Sequence, residues 1–303
     1  MAKVKVGVIG VGVMGDHHAR IYSTLKEASL VGIFDYNQER AKEVAEKYKT
    51  KSFESVEALL SEVSAVSIVS PTKTHYEVAK LCLNSGKHIL CEKPLASTFE
   101  EGEEIVKLAK EKGLVFAVGM IERFNPAFQK TLSLVRHEKI LGTAFKRYSP
   151  YPQRISDASV VFDMMFHDLD LALALSEAEV SSIKAAGKKI SSKMLDEVTA
   201  TLYFKDGMIS KIEASRVHKD KVRHLTITTD KYIYEVDLLN KKAARRNFDN
   251  LTEKENLEVK EQDQLTEELK DFLNAVEKNK APKVTGEKAL VTLKIAEEVE
   301  KIA

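Results

Sequence analysis

VKVGVIGVGVMG, residues 4–15, is the stretch from which the rest of the chain can be placed. Val4, Val6, Val8 and Ile9 make a short apolar run rich in β-branched side chains. Such a run suits a strand buried on both faces of a parallel sheet. Gly10, Gly12 and Gly15 follow as G-x-G-x-x-G, and residues 17–25 continue as a helix. Each glycine has a separate task in that setting. Gly10 permits a tight turn, Gly12 lets backbone approach a pyrophosphate, and Gly15 lets the helix lie close on the strand. Val13 and Met14 within the same turn are further cofactor candidates, and the helix that follows offers free N–H groups and a positive dipole end to phosphate.

A glycine triplet alone is a weak signal, and the next strand strengthens it. Residues 30–34 (LVGIF) are apolar and end on Asp35. A carboxylate there can accept hydrogen bonds from a ribose diol and would repel a 2′-phosphate. Strand, glycines, helix and acid together read as a dinucleotide site for NAD in preference to NADP. Asn37, Gln38 and Arg40 nearby leave a phosphate conceivable.

Length and composition bound the remainder. The 303 residues are enough for two domains with a core each. Lys+Arg 47 nearly balances Asp+Glu 46, so no basic field points to nucleic acid or a membrane surface. Cys82 and Cys91 lie in apolar segments with no metal or redox spacing, as buried thiols of a reducing cytoplasm do. The first strand begins too early for a signal peptide, and no apolar run approaches the ~20 residues of a membrane span. A soluble cytoplasmic protein is expected.

Residues 1–121 alternate as βαβ units, with strands at 65–69, 88–91 and 114–119 and helices at 37–48, 55–61, 74–84 and 98–112. This predicts a doubly wound parallel sheet. From 122 to 303 the pattern changes. A helix at 125–137 is followed by period-two segments at 145–151, 183–190, 197–204, 208–215, 224–228 and 232–236. They predict a largely antiparallel sheet of about six strands, interrupted by a helix at 160–175. Its open face would suit a second copy of the chain, as a homodimer or homotetramer. Residues 240–263 are strongly charged and read as a surface excursion. Amphipathic helices are expected at 265–276 and 287–302, the last folding back on the first domain.

Ligands of open parallel sheets bind beyond the carboxyl ends of the strands. Ser70-Pro71-Thr72 with His75, Glu92-Lys93-Pro94, and Glu122-Arg123-Phe124-Asn125-Pro126 all fall at such ends. The Lys93 ammonium beside a nicotinamide could bond a substrate hydroxyl as it becomes a carbonyl; a solvated lysine in a turn is the alternative. Asp163 and His167, four apart on a helix, share a face. His167 suits a general base that Asp163 orients, and a structural His–Asp pair is the other reading. The set lacks the ligands and spacing of a zinc site.

These motifs carry a resemblance. GVGVMG, SPTKTH, CEKP, ERFNP, the D-x-x-x-H-x-x-D stretch at 163–170 and the closing TGEKAL resemble the glucose–fructose oxidoreductase and inositol dehydrogenase family from end to end. The resemblance implies a hydride transferase that oxidises a sugar or polyol carbinol with NAD. It makes Lys93 the catalytic lysine, places His167 and Asp163 in the second domain, and puts Thr72 and His75 beside the nicotinamide. VGMIERFNPAF and SPYPQRISDASVVFDMMFHDLD are similar to members acting on the 3-hydroxyl of UDP-N-acetylglucosamine. Arg123, Asn125, Tyr148 and Arg154 are then candidate substrate residues. A free-sugar or inositol dehydrogenase would keep the same lysine and histidine. A non-catalytic NAD-binding regulator would be expected to lose one of them.

Overall fold

The computed structural model describes residues 3–151, 158–176 and 178–303. The chain divides into two units, Met1–Ile121 with Leu265–Leu293, and Glu122–Gln264 with Lys294–Ala303. The first unit therefore takes back a late segment of the chain.

In the first unit β1 (Val4–Ile9) is followed by α1 (Val13–Thr24), which starts ahead of the expected residue 17. Then come β2 (Ala28–Phe34), α2 (Gln38–Lys47), β3 (Lys51–Ser52), α3 (Val56–Glu62), β4 (Ala65–Ile68), α4 (His75–Asn84), β5 (His88–Glu92), α5 (Phe99–Glu111) and β6 (Phe116–Gly119). The strands form a six-stranded sheet in the order β3-β2-β1-β4-β5-β6, every pair parallel. Local chemistry starts the helices where the sequence says they should start. Asn37, Ser55 and Thr98 each turn a side-chain oxygen onto a free backbone N–H of the following turn. Strand order reverses direction between β1 and β4. That switch point opens a crevice beside the glycine turn.

In the second unit Asn125 caps α6 (Pro126–Val135), and β7 (Ile140–Tyr148) follows. A π-helical turn, Val161–Met165, leads into α7 (Phe166–Leu175). The remaining strands are β8 (Val180–Lys188), β9 (Glu197–Phe204), β10 (Ile209–Ser215), β11 (Val222–Thr229), β12 (Tyr232–Asp237), β13 (Lys242–Asn247) and β14 (Asn250–Leu257). They pair in the order β14-β13-β12-β11-β7-β10-β9-β8. All pairs are antiparallel except β7 with β10.

Two expectations need correcting here. The sheet has eight strands instead of about six, and residues 240–263 are not a loose excursion. Their charge belongs to the edge hairpin β13–β14, and β14 is exposed along almost its whole length. Charged side chains on an outer strand discourage pairing with other chains, so the hydrophobic alternation that marks an inner strand is missing.

One face of this sheet is apolar and buried. Val198, Ala200 and Leu202 of β9, Ile212 of β10, Phe145 of β7, Leu225 and Ile227 of β11 and Val236 of β12 lie there. The opposite face carries Thr199, Thr201, Tyr203, Thr226 and Thr228, all half-buried. After β14 come α8 (Gln264–Lys278) and α9 (Gly286–Ile302). Leu265, Leu269, Phe272, Leu273 and Ala275 of α8 enter the same core cluster as Val6, Val8, Ala19 and Tyr22. Among the described residues no helix is long and apolar enough to cross a membrane.

Phe145 is fully buried at the centre of the apolar face. Phe145→Ala is expected to cost ~3–5 kcal/mol of unfolding free energy, against about 0.5 kcal/mol or less for Thr201→Ala on the other face. Urea denaturation of the two variants measures this, and equal losses would contradict the two-faced reading of the sheet.

Candidate active site

The glycine turn is built for close approach. Gly10 has φ +88°, and a Cβ there would lie 2.6 Å from the Ser70 nitrogen. A Cβ at Gly15 would lie 2.0 Å from the Gly10 carbonyl oxygen, so α1 rests directly on the end of β1. At Gly12 a Cβ would meet nothing within 4 Å. That open cradle, beside the first turn of α1, fits a pyrophosphate. Val13 and Met14 stand exposed at the helix start.

Asp35 ends β2 and already works inside the protein. Its Oδ2 accepts the Val11 N–H at 2.7 Å and its Oδ1 the Asn37 N–H at 2.9 Å. A carboxylate has about four lone-pair directions, so capacity remains for a ribose diol. The three neighbours that left a phosphate conceivable are all engaged. Asn37 Oδ1 accepts the Arg40 N–H at 3.1 Å, Gln38 Nε2 donates to the Asp35 carbonyl at 2.9 Å, and Arg40 Nε donates to the Val11 carbonyl at 3.1 Å.

The loops after β4 and β5 meet at His75, which is 1% exposed. Its Nδ1 lies 2.8 Å from the Pro94 carbonyl oxygen and its Nε2 2.8 Å from that of Ser70. Burial pushes the imidazole pKa down, opposed by the two carbonyls and by the charge of Glu92. His75 thus lies between the Ser70-Pro71-Thr72 turn and the Glu92-Lys93-Pro94 turn, and as a neutral ring it donates to one of the two carbonyls, its tautomer deciding which. Ser70 Oγ and Thr74 Oγ1, 2.7 Å apart, stiffen the first loop. Lys93 is half-buried between β5 and the Lys93–Pro94 cis peptide.

Sequence reasoning missed His18. It is fully buried on α1, and its Nε2 lies 3.1 Å from Glu92 Oε1. A Cβ at Gly119 would lie 2.8 Å from the same oxygen, so β6 also lies against the carboxylate. Glu92 is therefore gripped by α1 and β6, and it aims the turn that carries Lys93. A histidine inside an apolar helix face was the available signal.

The second unit positions its own candidates through buried charge. Asp163 lies in the π-helical turn and His167 at the start of α7, both half-buried. Asp168 and Asp170, flanking His167, are nearly inaccessible. Arg147 of β7 holds Asp168 bidentately, at 2.8 Å from Nε and 2.7 Å from Nη2, and reaches Glu122 at 3.1 Å. Burial opposes the Arg147 charge, but Asp168 and Glu122 more than restore it and raise its pKa. Arg123 Nε lies 2.9 Å from Asp170, and Arg223 donates to Glu122 at 3.0 Å. Buried pairs of this kind contribute orientation more than stability. Here they set the rotation of α7 and hence of His167.

The other expected substrate residues are differently placed. Asn125 caps α6 and donates to Glu122 at 3.1 Å and to the Leu238 carbonyl at 2.9 Å. Tyr148 projects from the sheet face opposite to Arg147, donating to Glu213 at 2.5 Å with its ring 4.9 Å from that of His218. Arg154 and Pro152 lie outside the described residues. Among the described residues no group of three or more His, Cys, Asp or Glu is arranged to hold a metal.

A second unforeseen element anchors the chain just ahead of the π-helical turn. Arg216 is fully buried, donating to Asp196 at 2.9 Å and to the Ala158 carbonyl at 2.6 Å. Asp196 Oδ2 in turn accepts the N–H groups of Ile190, Ser191 and Ser192 at 2.7, 2.6 and 3.0 Å.

The glycine cradle with the Asp35 carboxylate beyond β2 has the form of a dinucleotide site, the mark of a nicotinamide-dependent oxidoreductase. Residues 4–120 match the oxidoreductase family with NAD-binding Rossmann fold, GFO/IDH/MocA, and residues 141–235 match its C-terminal domain. The chain belongs to this family, and is an NAD-binding dehydrogenase. It is 36% identical to the UDP-N-acetylglucosamine 3-dehydrogenase of Acidithiobacillus ferrooxidans, over 91% of this chain and 90% of that one. A solved structure of that enzyme superposes with a TM-score of 0.95 at 35% identity, covering 100% of this chain and 98% of the other. The myo-inositol 2-dehydrogenase of Thermotoga maritima is 26% identical over 96% of this chain and 93% of its own length.

Asp196 offers a pH test. Burial works against its charge, but the three backbone N–H groups and Arg216 outweigh it and hold the carboxyl well below its ordinary 3.8. A depressed folded pKa stabilises above the unfolded value and is lost as pH falls toward the folded one. Asp196→Asn should therefore lower urea stability clearly at neutral pH, with the gap to wild type narrowing only as pH drops below 3.8. A gap independent of pH would remove the charge from the argument.

Proposed function

We propose that this chain oxidises the 3-hydroxyl of the glucosamine ring in UDP-N-acetylglucosamine to a ketone, with NAD as hydride acceptor. The observation that carries the reading is the near full-length likeness to the Acidithiobacillus enzyme, in sequence and in fold together.

Gly10, Gly12, Gly15 and Asp35 would hold the dinucleotide, with Ser70, Pro71, Thr72, Glu92 and Lys93 toward its nicotinamide end. Bound NAD supplies an acceptor for hydride. The remaining chemistry falls to the chain. His167 takes the proton of the substrate hydroxyl, and Asp163 orients the imidazole. The Lys93 ammonium bonds the same oxygen and stabilises the charge that develops there. Glu92 and His75 hold the Lys93 turn, so that little reorganisation accompanies the reaction. Because Arg123 and Asn125 are committed to Asp170, Glu122 and Leu238, we assign them to scaffolding, and leave Arg154 as the candidate for the diphosphate.

The sheet face bearing Thr199, Thr201 and Tyr203 supports assembly of copies of this chain through it. Cys82 and Cys91 are unpaired and buried, and burial pushes the Cys82 thiol up to about 12, as befits thiols of a reducing cytoplasm. A second reading, oxidation of a free polyol, is kept by the likeness to the Thermotoga inositol dehydrogenase.

NADH absorbance separates the two. Purified protein with NAD and a ketone trap should respond to UDP-N-acetylglucosamine and not to N-acetylglucosamine or myo-inositol; a response to a free polyol alone would favour the second reading. Lys93→Met and His167→Asn should each lower kcat by ~100–10,000-fold while NADH still binds. Wild-type rates in both variants would remove these residues from the chemistry.

A further inference from the structure

The cations around the ribose-binding acid are held in an unusual way. Arg40, in the first turn of α2, is the guanidinium placed to meet a phosphate on the ribose 2′-oxygen. It is turned inward instead. Nε donates to the Val11 carbonyl at 3.1 Å, Nη1 to Glu43 at 2.8 Å, and Nη2 lies 3.6 Å from Asp16. Since Asp35 takes the Val11 N–H, both backbone polar groups of this one residue of the glycine turn are held.

Asp16 is the fixed point of the arrangement. Both its oxygens lie 3.1 Å from Lys47 Nζ, and Oδ2 accepts the Tyr48 hydroxyl at 3.0 Å. Burial works against its charge, but the bonds from Lys47 and Tyr48 prevail and keep the carboxyl below its ordinary value. Both cations of the patch, Arg40 and Lys47, are thereby paired back onto Asp16 and Glu43. A 2′-phosphate arriving beside Asp35 would meet an Arg40 already engaged with Val11, Glu43 and Asp16.

We propose that Asp16 and Glu43 form a second determinant of cofactor choice beside Asp35, by restraining Arg40 as a clamp on the glycine turn and so withholding it from a 2′-phosphate. The inference rests on the nicotinamide-cofactor reading of the first unit and is independent of the sugar. Removing the acid at 35 would lift a repulsion without providing a ligand. Releasing Arg40 would provide one, because a guanidinium binds phosphate bidentately.

The test measures dissociation constants of NADH and NADPH by nicotinamide fluorescence, with no substrate present. Wild type sets the reference ratio, and NADH binding there verifies the cofactor reading on its own. Asp35→Ser alone should shift the NADPH-over-NADH preference by less than about threefold relative to wild type, since it lifts a repulsion without adding a ligand. The triple variant, with Asp16→Asn and Glu43→Gln added, should exceed the single one by about tenfold in the ratio, since 1.4 kcal/mol of new phosphate contact is tenfold. Adding Arg40→Ala to the triple variant should erase the gain. The proposal is overturned if Asp35→Ser alone matches the triple variant, or if the gain survives without Arg40.

Discussion

The distance between Gly15 and the Gly10 carbonyl is the constraint on which the first unit depends. A single added carbon at position 15 would come within 2.0 Å of that oxygen. Because it is absent, α1 begins immediately beyond β1 and points its unbonded N–H groups into the crevice where strand order reverses. The turn is then secured from outside. Asp35 accepts the Val11 N–H, Arg40 donates to the Val11 carbonyl, and Ser70 backs onto Gly10 from beyond the end of β4. Backbone geometry supplies the anion site, and side chains from neighbouring strands keep it in shape.

The second unit solves its positioning problem by other means. Here the groups to be aimed are side chains on α7, and the devices that aim them are buried charges. Glu122, Asp168 and Asp170 face the buried Arg123 and Arg147 and the partly exposed Arg223, so acids and bases balance in number. Taking such groups out of water is costly, and hydrophobic residues would pack more cheaply. What charge provides is selectivity of orientation: the bidentate Arg147–Asp168 contact admits one rotation of the helix. The π-helical turn ahead of it adds a residue to the ring of backbone hydrogen bonds, a feature often found at functional sites.

Much of this was legible in the chain, for reasons that differ by element. The bounds of β9, 197–204, follow directly from its alternation, because one face is buried and the other half-exposed. Asp35, Lys93 and the Asp163–His167 spacing were visible because local motifs carry them. The charged hairpin β13–β14 was not, since an edge strand does not alternate. His18 with Glu92, and Arg216 with Asp196, were also hidden. Their partners lie 74 and 20 residues away, and no local pattern encodes such a pairing. Arg123 and Asn125 were candidates because they follow a strand end; the contacts of Asn125 with Glu122 and Leu238, and of Arg123 with Asp170, are made to partners that no local pattern names.

The return of Leu265–Leu293 to the first unit has a consequence for biosynthesis. Leu265, Leu269, Phe272, Leu273 and Ala275 share a core with residues of β1 and α1 that leave the ribosome much earlier. Until α8 emerges, the nascent sheet presents an unfilled apolar surface to water or to chaperones. At synthesis rates of roughly 5–20 residues per second the wait from residue 121 to residue 275 is about 8–30 s. The glycine turn can therefore exist as a local structure well before the unit that contains it is complete, and a chain interrupted in the second unit leaves the first one unfinished.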